Sequence, residues 1–175
     1  YREGEAAFDQ KYAAALGMPI NRVNFGDPME TVEELFSDLR SIVARSHKHP
    51  ILYIVDSLDS LSDSAEMERE MGEGTYGTNK ARNMSQLFRR LVRQMSSSKL
   101  TLIIVSQVRS KIGTSYGRKT TRSGGRALDF YASQVVYLSA QRTAKLTKRV
   151  SGIKRPTGVS VIAKIDKNKV SLPFR

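Results

Sequence analysis

This 175-residue chain predicts an α/β fold, with a central, mostly parallel β-sheet flanked by helices. Three observations predict it. Two continuous apolar runs, ILYIV at 51–55 and TLIIV at 101–105, each end on polar residues, Asp56 in the first case and Ser106 with Gln107 in the second. Each run is preceded by an amphipathic segment of helical period. Helix and strand alternate at the lengths typical of a parallel sheet with crossover helices, and continuous apolar runs suit strands covered on both faces.

Apolar residues between 8 and 16 allow a short helix that Gly17 and Pro19 close, and residues 21–25 then alternate like a brief strand. TVEE at 31–34 is a capping-box pattern, in which Thr31 and Glu34 each bond the other's backbone amide. Val32, Leu35, Phe36, Leu39, Ile42 and Val43 follow at helical spacing, and residues 47–50 break that helix. After the first apolar strand, residues 57–77 are polar, acidic and glycine-containing. A second helix carries Met84, Leu87, Phe88, Leu91, Val92 and Met95 on one face, with Lys80, Arg89, Arg90 and Arg93 elsewhere, and three serines at 96–98 stop it. The second apolar strand opens into a basic loop that runs to Gly125. Further strands are expected at 135–138 and 159–165, antiparallel in the alternative arrangement, with an exposed basic connection over 142–154 between them.

Length fits one domain spanning 1–175, and 39% hydrophobic with 26% charged residues is a globular composition. Absence of cysteine excludes a disulfide framework, a thiolate metal site and a cysteine nucleophile. No apolar run approaches the roughly 18 residues of a membrane span, and the N-terminus has no signal-peptide pattern, so a cytoplasmic protein is expected. The chain starts at Tyr1 without a start or capping signal and reads as a fragment. Its charge is sharply divided. Fifteen acids and seven bases lie before Tyr76, against two acids and twenty-two bases from there on, giving −8 and +20. Solubility charge is interspersed in sign; a split of this kind points to a polyanion such as nucleic acid.

In open α/β sheets ligands bind at the carboxyl ends of the strands, where Asp56 and Gln107 stand. An acid after an apolar strand has the form of a Walker-B carboxylate, which holds Mg²⁺ near nucleotide phosphates, though an Asp that caps the next turn is as common. The loop after Gln107 carries Arg109, Lys111, Gly113, Tyr116, Arg118, Lys119, Arg122, Gly124 and Gly125. Its cations and backbone amides suit a phosphate backbone.

Taken in order, IVDS at 54–57, AEMEREMG at 65–72, ARNMSQ at 81–86, QVRSKIG at 107–113, GGRALDFYAS at 124–133, KNK at 167–169 and PF at 173–174 closely resemble the ATPase core of bacterial RecA recombinases. The blocks span nearly the whole chain with little insertion. The resemblance implies a partial RecA-like core, truncated at both ends, from an ATP-dependent recombinase that forms filaments on single-stranded DNA and pairs it with a homologous duplex. Recombination, DNA repair and the SOS response are the implied setting. Glu5 matches the catalytic glutamate that orients the attacking water, and Asp9 and Tyr12 match residues that contact adenine. Asp56 matches the Walker-B acid, and Gln107 the amide that senses the γ-phosphate and passes its presence to the following loop. Two loops are implied to hold DNA: residues 70–82, with Gly72, Tyr76 and Arg82, and the basic loop after Gln107. Lys167 and Lys169 match a pair that reaches the neighbouring subunit's ATP. ATP and Mg²⁺ are the implied cofactors.

The chain departs from the family pattern in four places. No G-x-x-x-x-G-K-[ST] phosphate cradle occurs in it, so ATP and Mg²⁺ are expected only with that segment supplied, and the chain alone is expected to be inactive as an ATPase. Asp129 stands beside Phe130 where the family usually has Lys, Ser106 replaces the usual Asn, and 142–154 is unusually basic. A short, non-hydrolysing single-stranded-DNA-binding or filament-modulating protein is the alternative. A hexameric helicase of related fold should lack the block at 124–133.

Overall fold

The computed structural model describes residues 1–4, 7–67, 78–110, 120–122 and 125–171, which form two compact units, Tyr1–Tyr131 and Ala132–Arg175. The first opens with a two-residue strand, β1 (Arg2–Glu3), and a short helix, α1 (Gln10–Ala15). Asp9 caps α1, its Oδ1 accepting from the backbone amides of Lys11 at 2.8 Å and Tyr12 at 3.0 Å. Residues 21–25 were expected as a strand and form none. Ile20–Arg22 make a 3₁₀ turn, and the Phe25 ring packs 5.9 Å from Tyr1 and 5.5 Å from Phe8. Outside that turn, among the described residues, the stretch bonds only Tyr1, whose amino group donates to the Asn24 carbonyl at 2.9 Å and whose carbonyl accepts from the Gly26 amide at 3.2 Å. Two bonds are too few for a ladder, and Phe25 joins the aromatic cluster.

The capping box forms as expected at the start of α2 (Val32–Arg45). Thr31 Oγ1 accepts from the Glu34 amide, and Glu34 Oε2 accepts from the Thr31 amide, both at 3.2 Å. Helix α2 buries Val32, Leu35, Leu39 and Val43. Strand β2 (Ile51–Asp56), a 3₁₀ turn (Leu58–Ser60) and the single-turn α3 (Ser64–Met67) follow, then α4 (Thr78–Met95) and β3 (Leu100–Ile104). Helix α4 buries Met84, Leu87, Phe88 and Leu91, while Val92, expected on the same face, is exposed. Each fully buried leucine contributes about 1.5–3 kcal/mol.

The three strands run parallel in the order β1-β2-β3, with Arg2 opposite Val55 and Val55 opposite Ile104. Tyr53 and Val55 face the cluster made by α2 and α4. Two-sided burial of these strands was expected and is not found: Leu52, Ile103 and Val105 remain 56%, 45% and 44% exposed. Burial follows where the helices lie, and the core they form with the strands holds Tyr53 and Val55 and leaves these three residues out. One polar network ties the layers together. Arg2 Nε donates to Asp38 Oδ2 at 2.7 Å, and the Tyr53 hydroxyl donates to the same oxygen. Burial pushes the Asp38 carboxyl upward, but the bonds from Arg2 and Tyr53 outweigh it and hold the group below the usual carboxylate range. Burial, with the Asp38 charge, pushes the Tyr53 hydroxyl well above its ordinary value.

Beyond β3, a small antiparallel ladder pairs β4 (Val108–Ser110) with β5 (Thr120–Arg122), and α5 (Ala127–Tyr131) packs Tyr131 against Phe88 with ring centroids 6.1 Å apart. The second unit is an antiparallel hairpin of two long strands, β6 (Gln134–Val150) and β7 (Ile153–Asn168). The expected exposed connection over 142–154 is therefore strand almost throughout. Its Thr, Leu, Val and Ile residues have high strand propensity, which the interspersed cations obscure in the sequence. Ser151 and Gly152 make the two-residue turn with φ of +52° and +79°, the left-handed pair that a tight hairpin of matching twist requires.

Candidate functional site

The carboxyl ends of the parallel strands carry the polar residues. At the end of β1, the Gly4 amide donates to the Asp56 carbonyl at 2.8 Å, and a β-carbon at Gly4 would collide with the Ser60 side chain. Glycine allows this close approach. Glu3 Oε1 accepts from the amides of Ala7 and Phe8, the latter at 2.6 Å. Asp56 ends β2, and its Oδ2 accepts from the Tyr1 hydroxyl at 2.8 Å. The peptide bond between Asp56 and Ser57 is cis.

The third strand end is joined to the second by its backbone. The Val105 amide donates to the Val55 carbonyl and the Leu58 amide to the Val105 carbonyl, both at 3.0 Å. The Gln107 amide then donates to Asp59 Oδ2 at 2.6 Å. Asp59 Oδ1 and Ser106 Oγ are buried without a hydrogen-bond partner among the described residues. Buried polar atoms are rarely left in this state, and two of them at one strand end mark a place built for a polar ligand or water.

Lys80, at the start of α4, donates to the Leu61 carbonyl. Burial lowers its ammonium below the ordinary lysine range; the charges of Glu66, Asp59 and Asp63 oppose that shift, and Arg109 adds to it. Arg109 stands exposed on β4, opposite Thr121. The start of α4 therefore lies within electrostatic reach of the residues that follow Gln107. A second contact makes the same connection: a β-carbon at Gly125, where φ is +68°, would lie 3.3 Å from the Ala81 methyl. Lys80 and Ala81, at the start of α4, thus lie near Arg109 and Gly125, which are distant from them in sequence.

Arg82 is exposed on α4. Arg122 ends β5 and makes an ion pair with Asp129 of α5; their side chains are 14% and 32% exposed. Phe130 beside it is 70% exposed. Asp9 serves as a helix cap, and Tyr12 is 65% exposed on α1. In the second unit, Lys167 lies near the end of β7 and Lys169 just beyond it, with the Lys169 amide donating to the Ser133 carbonyl at 2.8 Å. Partial burial, then the adjacent Lys169, lowers the Lys167 ammonium. Glu5, Gly72, Tyr76, Lys111, Gly113, Tyr116, Arg118, Lys119 and Gly124 lie outside the described residues.

Sequence reasoning missed Asp59 and Lys80. Asp59 has one signal, an acid three residues beyond the strand-end Asp56, whereas Lys80 reads as a solvated cation off the apolar face of its helix. No group of three or more acidic, histidine or cysteine side chains able to enclose a metal occurs among the described residues. A single strand-end carboxylate such as Asp56 has the donor chemistry to meet a Mg²⁺ that keeps mostly water and phosphate ligands. No helix among them is long and apolar enough to cross a membrane.

Residues 1–175 match the RecA N-terminal domain family. Over 173 residues, 99% of this chain, it is 39% identical to Protein RecA of Chloroherpeton thalassium and to Protein RecA of Chlorobaculum parvum, covering 46% and 47% of those proteins. Protein RecA of Prochlorococcus marinus is 35% identical over 182 residues, with 44% of its length covered. The chain thus spans a little under half the length of these relatives.

Proposed function

Because the chain belongs to the RecA family, matching its N-terminal domain throughout, we propose that it is the ATPase and DNA-binding core of a recombinase that assembles on single-stranded DNA and pairs it with a homologous duplex. The observation that carries this reading is the meeting of three things: the Asp56 strand end, the Gln107 strand end, and the nearness of Lys80 and Ala81 on α4 to Arg109 and Gly125.

When bound, Mg²⁺ and ATP supply the phosphoryl bond whose hydrolysis resets the assembly. Asp56 would hold Mg²⁺ through water, Asp9 and Tyr12 would meet the adenine, and Glu5 would orient the attacking water. The Gln107 side chain would face the γ-phosphate while its amide stays on Asp59, so a change at Gln107 is felt directly at the start of β4 and Arg109. Arg82, Arg109 and Arg122 would follow the DNA backbone together with the cations between 111 and 119, and Lys167 and Lys169 would reach a neighbouring subunit's nucleotide. The phosphate cradle is not among the 175 residues, so this chain's own residues supply only part of the nucleotide site.

The test uses this chain and a longer protein containing both it and a G-x-x-x-x-G-K-[ST] segment. The chain alone should bind single-stranded DNA weakly, lose that binding steeply with salt, and turn over negligible ATP. In the longer protein, Gln107→Ala should abolish the tightening of DNA binding by ATP while leaving nucleotide binding. Tightening that survives the substitution would remove Gln107 from the sensing role. A start codon immediately before Tyr1 would instead favour the short, non-hydrolysing binding protein.

A further inference from the structure

Where the chain leaves the sheet after β3, a side chain takes the place of a ladder carbonyl. In a parallel pair, alternate amides of one strand donate to its neighbour. The Val105 amide makes such a bond, to the Val55 carbonyl at 3.0 Å, and the next amide in turn, that of Gln107, donates to Asp59 Oδ2 at 2.6 Å. One carboxylate oxygen thus fixes the backbone two residues before Arg109. Asp59 is itself firmly mounted. The turn that carries it buries Leu58 and is followed by buried Leu61, the Leu58 amide donates to the Val105 carbonyl at 3.0 Å, and Ser60 Oγ donates to the Ser57 carbonyl at 2.7 Å. Asp59 also acts on the start of α4. Half-buried Lys80 donates there to the Leu61 carbonyl, two residues beyond Asp59, and is the cation that Asp59, Asp63 and Glu66 share. Asp59 Oδ1 accepts no hydrogen bond among the described residues, so the field of Lys80 stands in for a second bond.

We propose that Asp59 is a positioning residue for the nucleotide response, the pivot about which Gln107 turns, and that Lys80 is the cation that completes it. With its amide held, Gln107 passes a displacement of its side chain along the backbone to Val108 and Arg109. Without the bond, the strand end slides and the displacement is spent locally. Lys80 keeps the carboxylate in place, and Lys80 stands on the first turn of α4. The pivot is therefore complete only when that helix end is formed, which joins the two segments assigned to the single strand through one carboxylate. The inference deepens the sensing role given to Gln107 above and rests on it.

The test uses the longer protein that contains a G-x-x-x-x-G-K-[ST] segment. Oligothymidine affinity is titrated with and without saturating ATP, and the ratio of the two is the readout. Asp59→Ala removes a charge-assisted bond and should lower the ratio about tenfold, or to one, while the ATP-free affinity stays within about threefold. Asp59→Asn, whose side-chain oxygen can still accept from the Gln107 amide, should keep most of the tightening. Lys80→Met should lower the ratio about threefold alone and have no further effect beside Asp59→Ala. An unchanged ratio in Asp59→Ala overturns the proposal, as does an equal loss with and without ATP, which a merely structural role would produce. Should Asp59→Ala fail to fold, Asp59→Glu, which keeps the charge and displaces the oxygens, decides by the same selective fall. Tightening that Gln107→Ala abolishes and Asp59→Ala retains overturns the pivot alone. Tightening that survives Gln107→Ala, or is absent from the wild type, overturns the sensing role and the pivot with it.

Discussion

The substitution Asp38→Asn tests how the parallel strands are tied to the helix layer. One Asp38 oxygen accepts from both Arg2 of β1 and Tyr53 of β2, joining α2 to two strands. The amide keeps the shape of the carboxylate but removes the charge, weakening the bond that holds β1, which leads directly into the Glu5 segment, and the bond that holds β2. Charge-assisted bonds contribute about 1.5–3 kcal/mol each, and the amide retains part of one, so the loss should be about 2 kcal/mol at pH 7. For a chain of this size that corresponds to a midpoint lower by about 4–8 °C. The pH dependence has a definite sign. Asp38 is held below its unfolded value, so its contribution is fully present above the ordinary carboxylate range of about 3.9 and is lost as pH falls through the lower folded value. Thermal unfolding of both proteins between pH 7 and pH 3 should therefore show the gap closing in acid. A gap below about 1 °C at pH 7, or one that persists undiminished at pH 3, would refute the network as a source of stability.

Four further substitutions probe other parts of the fold. Leu39→Ala, at a fully buried site on α2, should cost about 2–5 kcal/mol in urea unfolding without altering residual single-strand binding per folded molecule. Thr31→Ala removes one side of the capping box and should cost about 1 kcal/mol, read by the same unfolding curve. Arg122→Ala should lower the salt slope of single-strand binding by about one, measured by titration, and Asp129→Ala should leave that slope unchanged or raise it as Arg122 is released.

Much of the first unit was legible in the sequence because its signals are local. The Thr31–Glu34 box, the α2 and α4 stripes and the apolar runs of β2 and β3 each depend on residues a few positions apart. The polar strand ends were legible for the same reason: an apolar run that stops on Asp56, or on Ser106 and Gln107, marks its own carboxyl end. What depends on distant partners was not. The Gln107 amide meets Asp59 across 48 positions, and Lys80 reaches Leu61 across 19, so neither pairing has a local pattern. Residues 21–25 alternate convincingly, but beyond their own turn the stretch bonds only Tyr1 among the described residues, through the backbone at Asn24 and Gly26. Leu52, Ile103 and Val105 are as apolar as Tyr53 and Val55, yet only the face turned to the helices is buried. In β6 and β7, cations interrupt the strand pattern, so the ladder extends well beyond the segments expected.

Length, as much as identity, determines where Asp56 acts. Arg2, Val55 and Ile104 stand level across three parallel strands, so counting residues from that level delivers Glu3, Asp56 and Val105 to the same end of the sheet. Exchanging one apolar residue for another inside β2 alters packing by a few atoms. Adding or deleting one residue there would reverse every later side chain, carrying Asp56 away from Tyr1 and Tyr53 out of the core. Variation among descendants of this chain should thus be free in spelling and strict in metre: substitutions tolerated within the strands, insertions admitted only between them.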